Sequence, residues 1–266
     1  MWDIPARKRL FQGKTRGAHM MAFSPDGKFF AVGGNYSEFH IHDAATGKLY
    51  WDLTLKGHGD TALMHVEFTP DSRFLVSSSI NGMLRVWDVK EKQAQALFLF
   101  PSNDPADRGQ QKEFLRAWLA LAGPKRLPDD VKVFVDFKEE VGFLHQFALS
   151  PDGKIVAVPT TAKNVLVVEL ATGKLLASLK TQDKTYGVCF SPDGKRLAVG
   201  GGEGTGAGWR GSIEIWDVAK RKRSRQWDVK KHSALKMAFS PDGKILATGG
   251  TTDGVRVWEA ATGKLM

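Results

Sequence analysis

The chain has 266 residues, 42% of them hydrophobic and 25% charged, which is close to soluble globular averages and excludes a mostly disordered chain. It contains no run of about 18 apolar residues, so no membrane span is predicted, and Met1 to Lys8 lack the apolar segment of a secretory signal. The single cysteine, Cys189, excludes an internal disulfide and agrees with a cytoplasmic location, while the net charge of +9 favours anionic partners without selecting one.

A five-residue phrase with the composition of a tight turn recurs along the chain. Its first copy reads Ser24-Pro25-Asp26-Gly27-Lys28. Proline presets φ at the second position of the turn, and glycine accepts the left-handed conformation at its exit. The prolines of the copies are Pro25, Pro70, Pro151, Pro192 and Pro241. Their spacing indicates a repeat of about 40 residues with one doubled interval.

A second phrase, an aromatic or β-branched residue followed by an acid, ends a predicted strand in every repeat. The copies are Trp2-Asp3, His42-Asp43, Trp87-Asp88, Val168-Glu169, Trp216-Asp217 and Trp258-Glu259. Several continue into Ala-Thr-Gly-Lys, which is another turn. Short β-rich runs lie between the turns, among them residues 29–32, 74–77, 165–168 and 256–258. The pattern predicts five units of four short antiparallel strands, which we name a to d in chain order.

Four-stranded units that repeat at this interval are typical of a β-propeller. Because the two phrases keep their order in five units, the chain resembles the WD-repeat (WD40) family, with repeats of the bacterial style. The resemblance implies an all-β propeller of four-stranded antiparallel blades, with residues 1–266 as a single domain. It also implies ring closure, in which the N-terminal segment with Arg7 to Phe11 is an orphan strand d that completes the last blade.

The WD-repeat family has a hydrogen-bonded tetrad of a histidine before strand a, a hydroxyl residue in strand b, an aspartate in the b–c turn and the strand-c tryptophan. Carried onto this sequence, the last unit supplies His232, Thr248, Asp253 and Trp258. The second unit supplies His58, Ser77 and Trp87, but has Asn81 in place of the acid. The first and third units depart from the pattern at His42 and Val168. We interpret these residues as a structural network, not a catalytic triad.

The doubled interval contains a segment, residues 101–140, that lacks the turn phrase. Apolar residues recur there at helical spacing from Phe114 to Leu121, and Gly123-Pro124 ends the pattern, which predicts a helix. Val131, Val133 and Val135 then alternate as in a strand. Two interpretations remain open, a helix-containing insertion and a degenerate sixth blade.

Two departures from the repeat fall on the face formed by the d–a and b–c loops, which we call the top face. The insertion supplies Arg116 and Trp118, and a glycine-rich b–c loop, residues 200–211, supplies Trp209 and Arg210. Tryptophan and arginine are enriched in interface hot spots, so these four residues are candidates for binding a partner. The alternatives are that Trp209 caps the central channel and that the helix only packs on the propeller.

The opposite face, formed by the a–b and c–d turns, carries a basic patch. Its residues are Arg7, Lys8, Arg9, Lys220, Arg221, Lys222, Arg223 and Arg225. If the N-terminal strand closes the ring, the two clusters are neighbours, and they are a candidate for binding the phosphates of nucleic acid or of an anionic surface. The alternative is a solvated turn surface that keeps the protein soluble.

The sequence therefore predicts a non-catalytic scaffold that binds protein partners through loops on a rigid propeller. The principal alternative is a nucleic-acid or anionic-surface binding module that uses the basic patch. A lactonase-like propeller enzyme is a weaker alternative, because such enzymes need acids and histidines that converge on the central channel, and the sequence gives no sign of such a cluster. No cofactor, metal site, membrane span or small-molecule substrate is predicted.

Overall fold

The structure, a computed structural model, describes residues 2–3, 5, 7–9, 18–34, 39–53, 63–80, 82–100, 132–134, 146–204, 210–230, 232, 234–250 and 254–266. These residues form 22 β-strands and no helix. Within these ranges, no helical segment is long and apolar enough to cross a membrane.

The strands form a two-stranded hairpin and five blades. The hairpin consists of β1 (Trp2–Asp3) and β2 (Lys8–Arg9). Blade 1 consists of β3 (Ala18–Phe23), β4 (Phe29–Gly34), β5 (Phe39–Asp43) and β6 (Leu49–Asp52). Blade 2 consists of β7 (Leu63–Phe68), β8 (Phe74–Ser79), β9 (Met83–Asp88) and β10 (Gln93–Leu99), with β11 (Lys132–Phe134) parallel to β10.

Blade 3 consists of β12 (Ala148–Leu149), β13 (Ile155–Thr160), β14 (Asn164–Glu169) and β15 (Leu175–Lys180). Blade 4 consists of β16 (Thr185–Phe190), β17 (Arg196–Glu203), β18 (Arg210–Asp217) and β19 (Lys222–Lys230). Blade 5 consists of β20 (Lys236–Phe239), β21 (Ile245–Gly249) and β22 (Val255–Glu259), with an isolated bridge from Trp258 to Leu265 at the fourth position. The predicted all-β, five-bladed propeller is confirmed.

The a–b turns follow from the repeated Ser-Pro-Asp-Gly-Lys phrase. In the first copy, the Ser24 hydroxyl donates to Asp26 Oδ1 at 2.7 Å and accepts from the Phe29 N–H at 2.9 Å. Gly27 adopts a φ of +70°, as the turn requires. The same serine-to-aspartate bond, or threonine-to-aspartate bond, recurs at 2.5–2.6 Å in each of the other four blades. The same hydrogen-bonded turn thus joins strands a and b in every blade.

The hydrophobic core lies between neighbouring blades. One cluster joins blades 1 and 2, and others join blades 2 and 3, 3 and 4, and 4 and 5. The first strands of neighbouring blades also contact each other, as β3 does with β7 and β16 with β20. Strand a is therefore the innermost strand of each blade and strand d the outermost. Burial of each leucine, valine or phenylalanine side chain contributes roughly 1.5–3 kcal/mol to the free energy of folding, so these clusters stabilise the contacts between neighbouring blades.

The structure corrects the predicted ring closure at the N terminus. We predicted that Lys8 and Arg9 pair with the last blade, but β2 pairs with β1 in the register Trp2 to Arg9 and Asp3 to Lys8. The physical reason is local, because Trp2-Asp3 and a turn with Arg7 at a φ of +48° form the same hairpin that joins strands c and d in the blades. In blade 4, Trp216 pairs with Arg223 and Asp217 with Lys222 in the same way. Leu10 and Phe11 lie outside the described residues.

The segment predicted as an insertion or a sixth blade adds a strand to blade 2. The alternation of Val131, Val133 and Val135 predicted a strand, which the structure places at β11, and the Phe134 ring packs 4.8 Å from the Phe98 ring. The predicted helix lies outside the described residues. Among the described residues there are five blades and no sixth.

Candidate functional site

The residues of the predicted tetrads are buried where strands b and c meet in blades 2 and 5. In blade 5, Trp258 Nε1 donates to Thr248 Oγ1 at 2.9 Å, and the same hydroxyl lies 2.8 Å from His232 Nε2. In blade 2, Trp87 Nε1 donates to Ser77 Oγ at 3.0 Å. His58, Asn81 and Asp253 lie outside the described residues. The described members are at most 5% exposed, so these hydrogen bonds lie within the core of the blades.

In blade 4, the indole N–H of the strand-c tryptophan donates to a carboxylate and not to a hydroxyl. Val199 lies at the position of strand b where blades 2 and 5 have the hydroxyl residue. Trp216 Nε1 donates instead to Glu214 Oε2 at 2.9 Å. The other oxygen of Glu214 accepts from the Gln182 N–H at 2.8 Å and lies 3.3 Å from Arg223 Nη1. Glu214 is 1% exposed, so these partners compensate the burial of its charge.

Of the predicted top-face residues, the structure describes Arg210. Arg116, Trp118 and Trp209 lie outside the described residues. Arg210 begins β18, is exposed and pairs with Lys230 of β19. The contribution of the top face to binding therefore stays a prediction.

The predicted basic patch is divided between two separate hairpins. Lys220 and Arg221 lie in the exposed turn before β19. Strand β19 itself carries Lys222, Arg223 and Arg225. Arg7, Lys8 and Arg9 are exposed on the β1–β2 hairpin. Their predicted adjacency depended on closure of the last blade by β2, which is not the observed pairing. Because β19 is the outer edge of blade 4, its charges also protect that edge from pairing with other chains.

The innermost strands carry titratable residues that were not among the predicted site residues. His65 and Glu67 lie on β7, Cys189 on β16 and Lys236 on β20. His65 Nε2 is 3.9 Å from Glu67 Oε2, and its ring packs edge-on against Phe147 at 4.8 Å. Each of the four lies two or four residues before the serine or threonine of a turn phrase. A comparison of these two positions across the repeats would have identified them.

Burial disfavours the charged forms of two of these inner residues, His65 and Cys189. Burial lowers the pKa of His65, and the positive charge of Lys236 lowers it further, while the nearby Glu67 carboxylate opposes both effects. Burial raises the pKa of the Cys189 thiol to about 12, with the Glu67 charge adding to the shift. His65 and Glu67 belong to blade 2, whereas Cys189 belongs to blade 4 and Lys236 to blade 5. Because blade 2 neighbours neither of those blades, the charge effects between these side chains indicate that they surround the centre of the ring. Among the described residues, no three His, Cys, Asp or Glu side chains are placed to hold a metal ion.

A cavity of about 470 Å³ lies between blades 2 and 3. We call it the 2/3 groove. Its apolar wall consists of Phe74, Val86, Ala96 and Leu170. Its polar lining includes Asp71, Gln95, Asp152, Lys154 and Glu169. The groove thus combines an apolar wall with three carboxylates and one ammonium group.

A smaller cavity of about 220 Å³ occupies the equivalent place between blades 3 and 4. Leu176 replaces Gln95 there, and Val167 and Ala177 correspond to Val86 and Ala96. Its lining is apolar except for Arg221. The two cavities therefore share a backbone frame but differ in size and in the sign of their charge.

Comparison with known proteins agrees with this architecture. Residues 52–88 match the family described as WD domain, G-beta repeat. The chain belongs to the WD-repeat family. Residues 127–266, more than half of the chain, match the family described as Eukaryotic translation initiation factor eIF2A, so the chain belongs to that family as well. The second match covers β11 and blades 3 to 5 of this WD-repeat protein.

Individual relatives are distant and longer. Periodic tryptophan protein 2 from Arabidopsis thaliana is 23% identical over 82% of this chain and 24% of its own length. WD repeat-containing protein 1 from Mus musculus is 29% identical over 34% of this chain and 15% of its own length. Target of rapamycin complex subunit wat1 from Schizosaccharomyces pombe is 28% identical over 41% of this chain and 38% of its own length. The chain thus spans less than half the length of these three relatives.

Proposed function

We propose that this WD-repeat protein is a non-catalytic scaffold that binds other proteins on the surface of its propeller. The observation that carries this proposal is the contrast between an invariant frame and variable surfaces. The a–b turns are held by the same hydrogen bonds in all five blades. The cavities between the blades, in contrast, differ in volume and charge. A rigid frame with individual recess chemistry suits selective binding.

The relatives support the same proposal. One of them is named as a subunit of a complex, the Target of rapamycin complex subunit wat1. Binding to other proteins is the role that such a name describes for that relative. We extend only this general role to the present chain and leave the partner's identity open.

The inner-strand residues support binding over catalysis. A nucleophilic cysteine needs a lowered pKa, whereas burial raises the pKa of Cys189 to about 12. The lowered pKa of His65 keeps its imidazole neutral at physiological pH. Neither group has the activation that a lactonase-like enzyme would need, so we do not favour that alternative.

The rival function, binding of nucleic acid or of an anionic surface, is favoured by the exposed basic run from Lys220 to Arg225. Part of this run already has structural roles, because Arg223 pairs with buried Glu214 and Lys220 lies 3.7 Å from Asp217. Phosphate binding would weaken steeply with added salt. A salt titration of DNA binding therefore separates the rival from the scaffold.

The scaffold is tested by affinity capture and mass spectrometry from a cytoplasmic lysate, since we also propose a cytoplasmic location. The eIF2A match makes the fraction that contains the translation machinery the first to be searched. We expect a protein that co-purifies in constant ratio with the folded chain, is retained after nuclease treatment and is absent when the chain is heat-denatured. Recovery of nucleic acid alone, or of the same proteins by folded and denatured chain, would contradict the proposal.

A further inference from the structure

We propose that the 2/3 groove binds a lysine or arginine side chain of a partner protein. The site rests on the proposed scaffold function, since it specifies the chemistry of the segment that the scaffold binds. No metal, cofactor or catalysis is involved. The groove would act as a specificity pocket for one basic residue of a partner.

The shape of the groove suits a side chain with a long aliphatic stem. Its volume of about 470 Å³ falls in the range of about 300–1,000 Å³ that is usual for ligand sites. Val86, Ala96 and Leu170 are buried core residues whose surfaces also line the groove. Lysine and arginine bury their methylene groups against such surfaces and keep the charged end at a polar rim.

The charge of the groove selects a cation. Asp71, Asp152 and Glu169 face one positive residue, Lys154, in the lining. The Ser150 hydroxyl and the Lys154 N–H both donate to Asp152 Oδ1, at 2.6 and 3.1 Å. These bonds, the first of them most, lower the pKa of Asp152, so its carboxylate is ionised at neutral pH. The turn does not use the second carboxylate oxygen, which is a suitable acceptor for a guanidinium or an ammonium group.

Asp71 repeats this arrangement on the blade 2 side of the groove. The Thr69 hydroxyl donates to Asp71 Oδ1 at 2.5 Å, and the Arg73 N–H donates to the same oxygen at 3.0 Å. The two aspartates therefore lie in equivalent turns of neighbouring blades. A cation between the blades would be recognised from both sides.

Two internal comparisons show that this acidic lining is particular to the site. The whole chain carries a net charge of +9, so a locally acidic recess departs from the general character of its surface. The equivalent cavity between blades 3 and 4 has Leu176 in place of Gln95 and carries Arg221 as its charged residue. The repeat architecture alone therefore does not produce an acidic groove.

The direct test is a titration of the full chain followed by methyl NMR signals of Val86, Ala96 and Leu170. The probes are the amides of Nα-acetyl-arginine and Nα-acetyl-lysine, with Nα-acetyl-norleucine amide as the uncharged analogue of the same stem. We expect saturable shifts with both basic probes and at least about fivefold weaker binding of the norleucine probe, because it lacks the charge-assisted hydrogen bonds. Equal binding of all three probes, or no shift at these methyl groups, would overturn the proposal.

Variants of the carboxylates locate the binding. Asp152→Asn and Glu169→Gln each keep the shape of the side chain and are expected to weaken arginine binding at least about threefold, because each removes a charge. The matched control is Asp193→Asn, which makes the same change in the equivalent turn of blade 4, where Ser191 donates to Asp193 at 2.6 Å. Binding that falls equally in Asp152→Asn and Asp193→Asn would contradict the assignment to this groove.

A third variant keeps the test decisive if the carboxylate variants do not fold. Gln95→Leu introduces the residue that blade 3 carries at the equivalent position, Leu176, and is expected to reduce arginine binding by narrowing and depolarising the groove. Undiminished binding in folded Gln95→Leu would argue against the site. Failure of the probes with proteins still captured by the folded chain would refute the groove alone, whereas capture of no protein would refute the scaffold.

Discussion

In blades 2 and 5, a buried hydroxyl of strand b holds the tryptophan of strand c in place. Thr248 accepts from Trp258 and lies within hydrogen-bond distance of His232. Thr248→Val keeps the shape of the side chain but leaves the indole N–H and the imidazole without this partner. We expect a loss of about 1–3 kcal/mol in the free energy of unfolding, measured by urea denaturation.

The control for this change is Thr46→Val, in an exposed c–d turn. Thr46 Oγ1 also forms a hydrogen bond, to Asp43 at 2.6 Å, but water can replace it. The expected loss is below about 1 kcal/mol. Equal losses in the two variants would show that burial of the tetrad contributes nothing.

Another feature of single residues is the left-handed position of the c–d turn, which lies five residues after the first residue of the second phrase. Glycine occupies it in three hairpins, at Gly47, Gly173 and Gly263, but Arg221 occupies it in blade 4 with a φ of +54°. We expect Arg221→Gly to stabilise the protein by about 1 kcal/mol, because only glycine adopts this conformation without steric cost. Thermal unfolding measures the change, and Arg225→Gly on β19 is the control that should destabilise.

The a–b turn is the element whose chemistry repeats most faithfully. The serine hydroxyl of each turn, together with the lysine N–H, lowers the pKa of Asp26, Asp152, Asp193 and Asp242. A carboxyl whose pKa is lower in the folded than in the unfolded state stabilises the fold above its unfolded pKa of about 3.9, and this contribution is lost as the pH falls through the lowered value.

We therefore expect the stability that the turn aspartates contribute to be nearly constant above about pH 5 and to be lost as they protonate at lower pH. The triple variant Asp26→Asn, Asp193→Asn and Asp242→Asn should lose less stability over the same acid range than the natural chain does. Urea midpoints measured from about pH 6 to pH 2 give the slopes. Parallel slopes would mean that the turn aspartates do not contribute to acid unfolding.

At this scale much of the fold could be predicted. Proline, aspartate and glycine fix the a–b turns through local chemistry, so strands such as β4, β8 and β14 were found within a few residues. The pairing of β2 could not be predicted, because an orphan strand d fits both the last blade and its own hairpin partner, and local chain closure decides between them. Residues 101–140 carry no turn phrase, so their sequence left two architectures open.

At the scale of the whole molecule, the inner strands bring distant residues together. His65 belongs to blade 2 and Lys236 to blade 5, yet the Lys236 charge contributes to the lowered pKa of His65. We expect Lys236→Gln to raise the pKa of His65, although burial keeps it below the ordinary value of about 6.5. Histidine ring NMR titration measures the shift, and Lys244→Gln in the exposed a–b turn is the control. An unchanged His65 pKa in Lys236→Gln would contradict the central arrangement of these strands.

The functional surfaces were less predictable than the fold. The inner-strand titratable residues and the lining of the 2/3 groove each come from different blades, such as Glu67 with Cys189 or Asp71 with Asp152. Within one repeat each of these residues looks like an ordinary strand or turn position. Only the ring arrangement shows which of them share a recess, so sequence reasoning found the loops that break the repeat and missed the recesses between the blades.

Site-specific photo-cross-linking in cells tests whether the 2/3 groove binds a basic segment of a partner protein. A photoreactive side chain is placed at position 154, at the rim of the 2/3 groove, and in a matched chain at position 195, the equivalent position of blade 4. We expect position 154 to cross-link to a partner protein through a segment that contains lysine or arginine, and we expect Asp152→Asn to weaken this cross-link. Cross-links to nucleic acid alone, or the same proteins at both positions, would contradict that expectation.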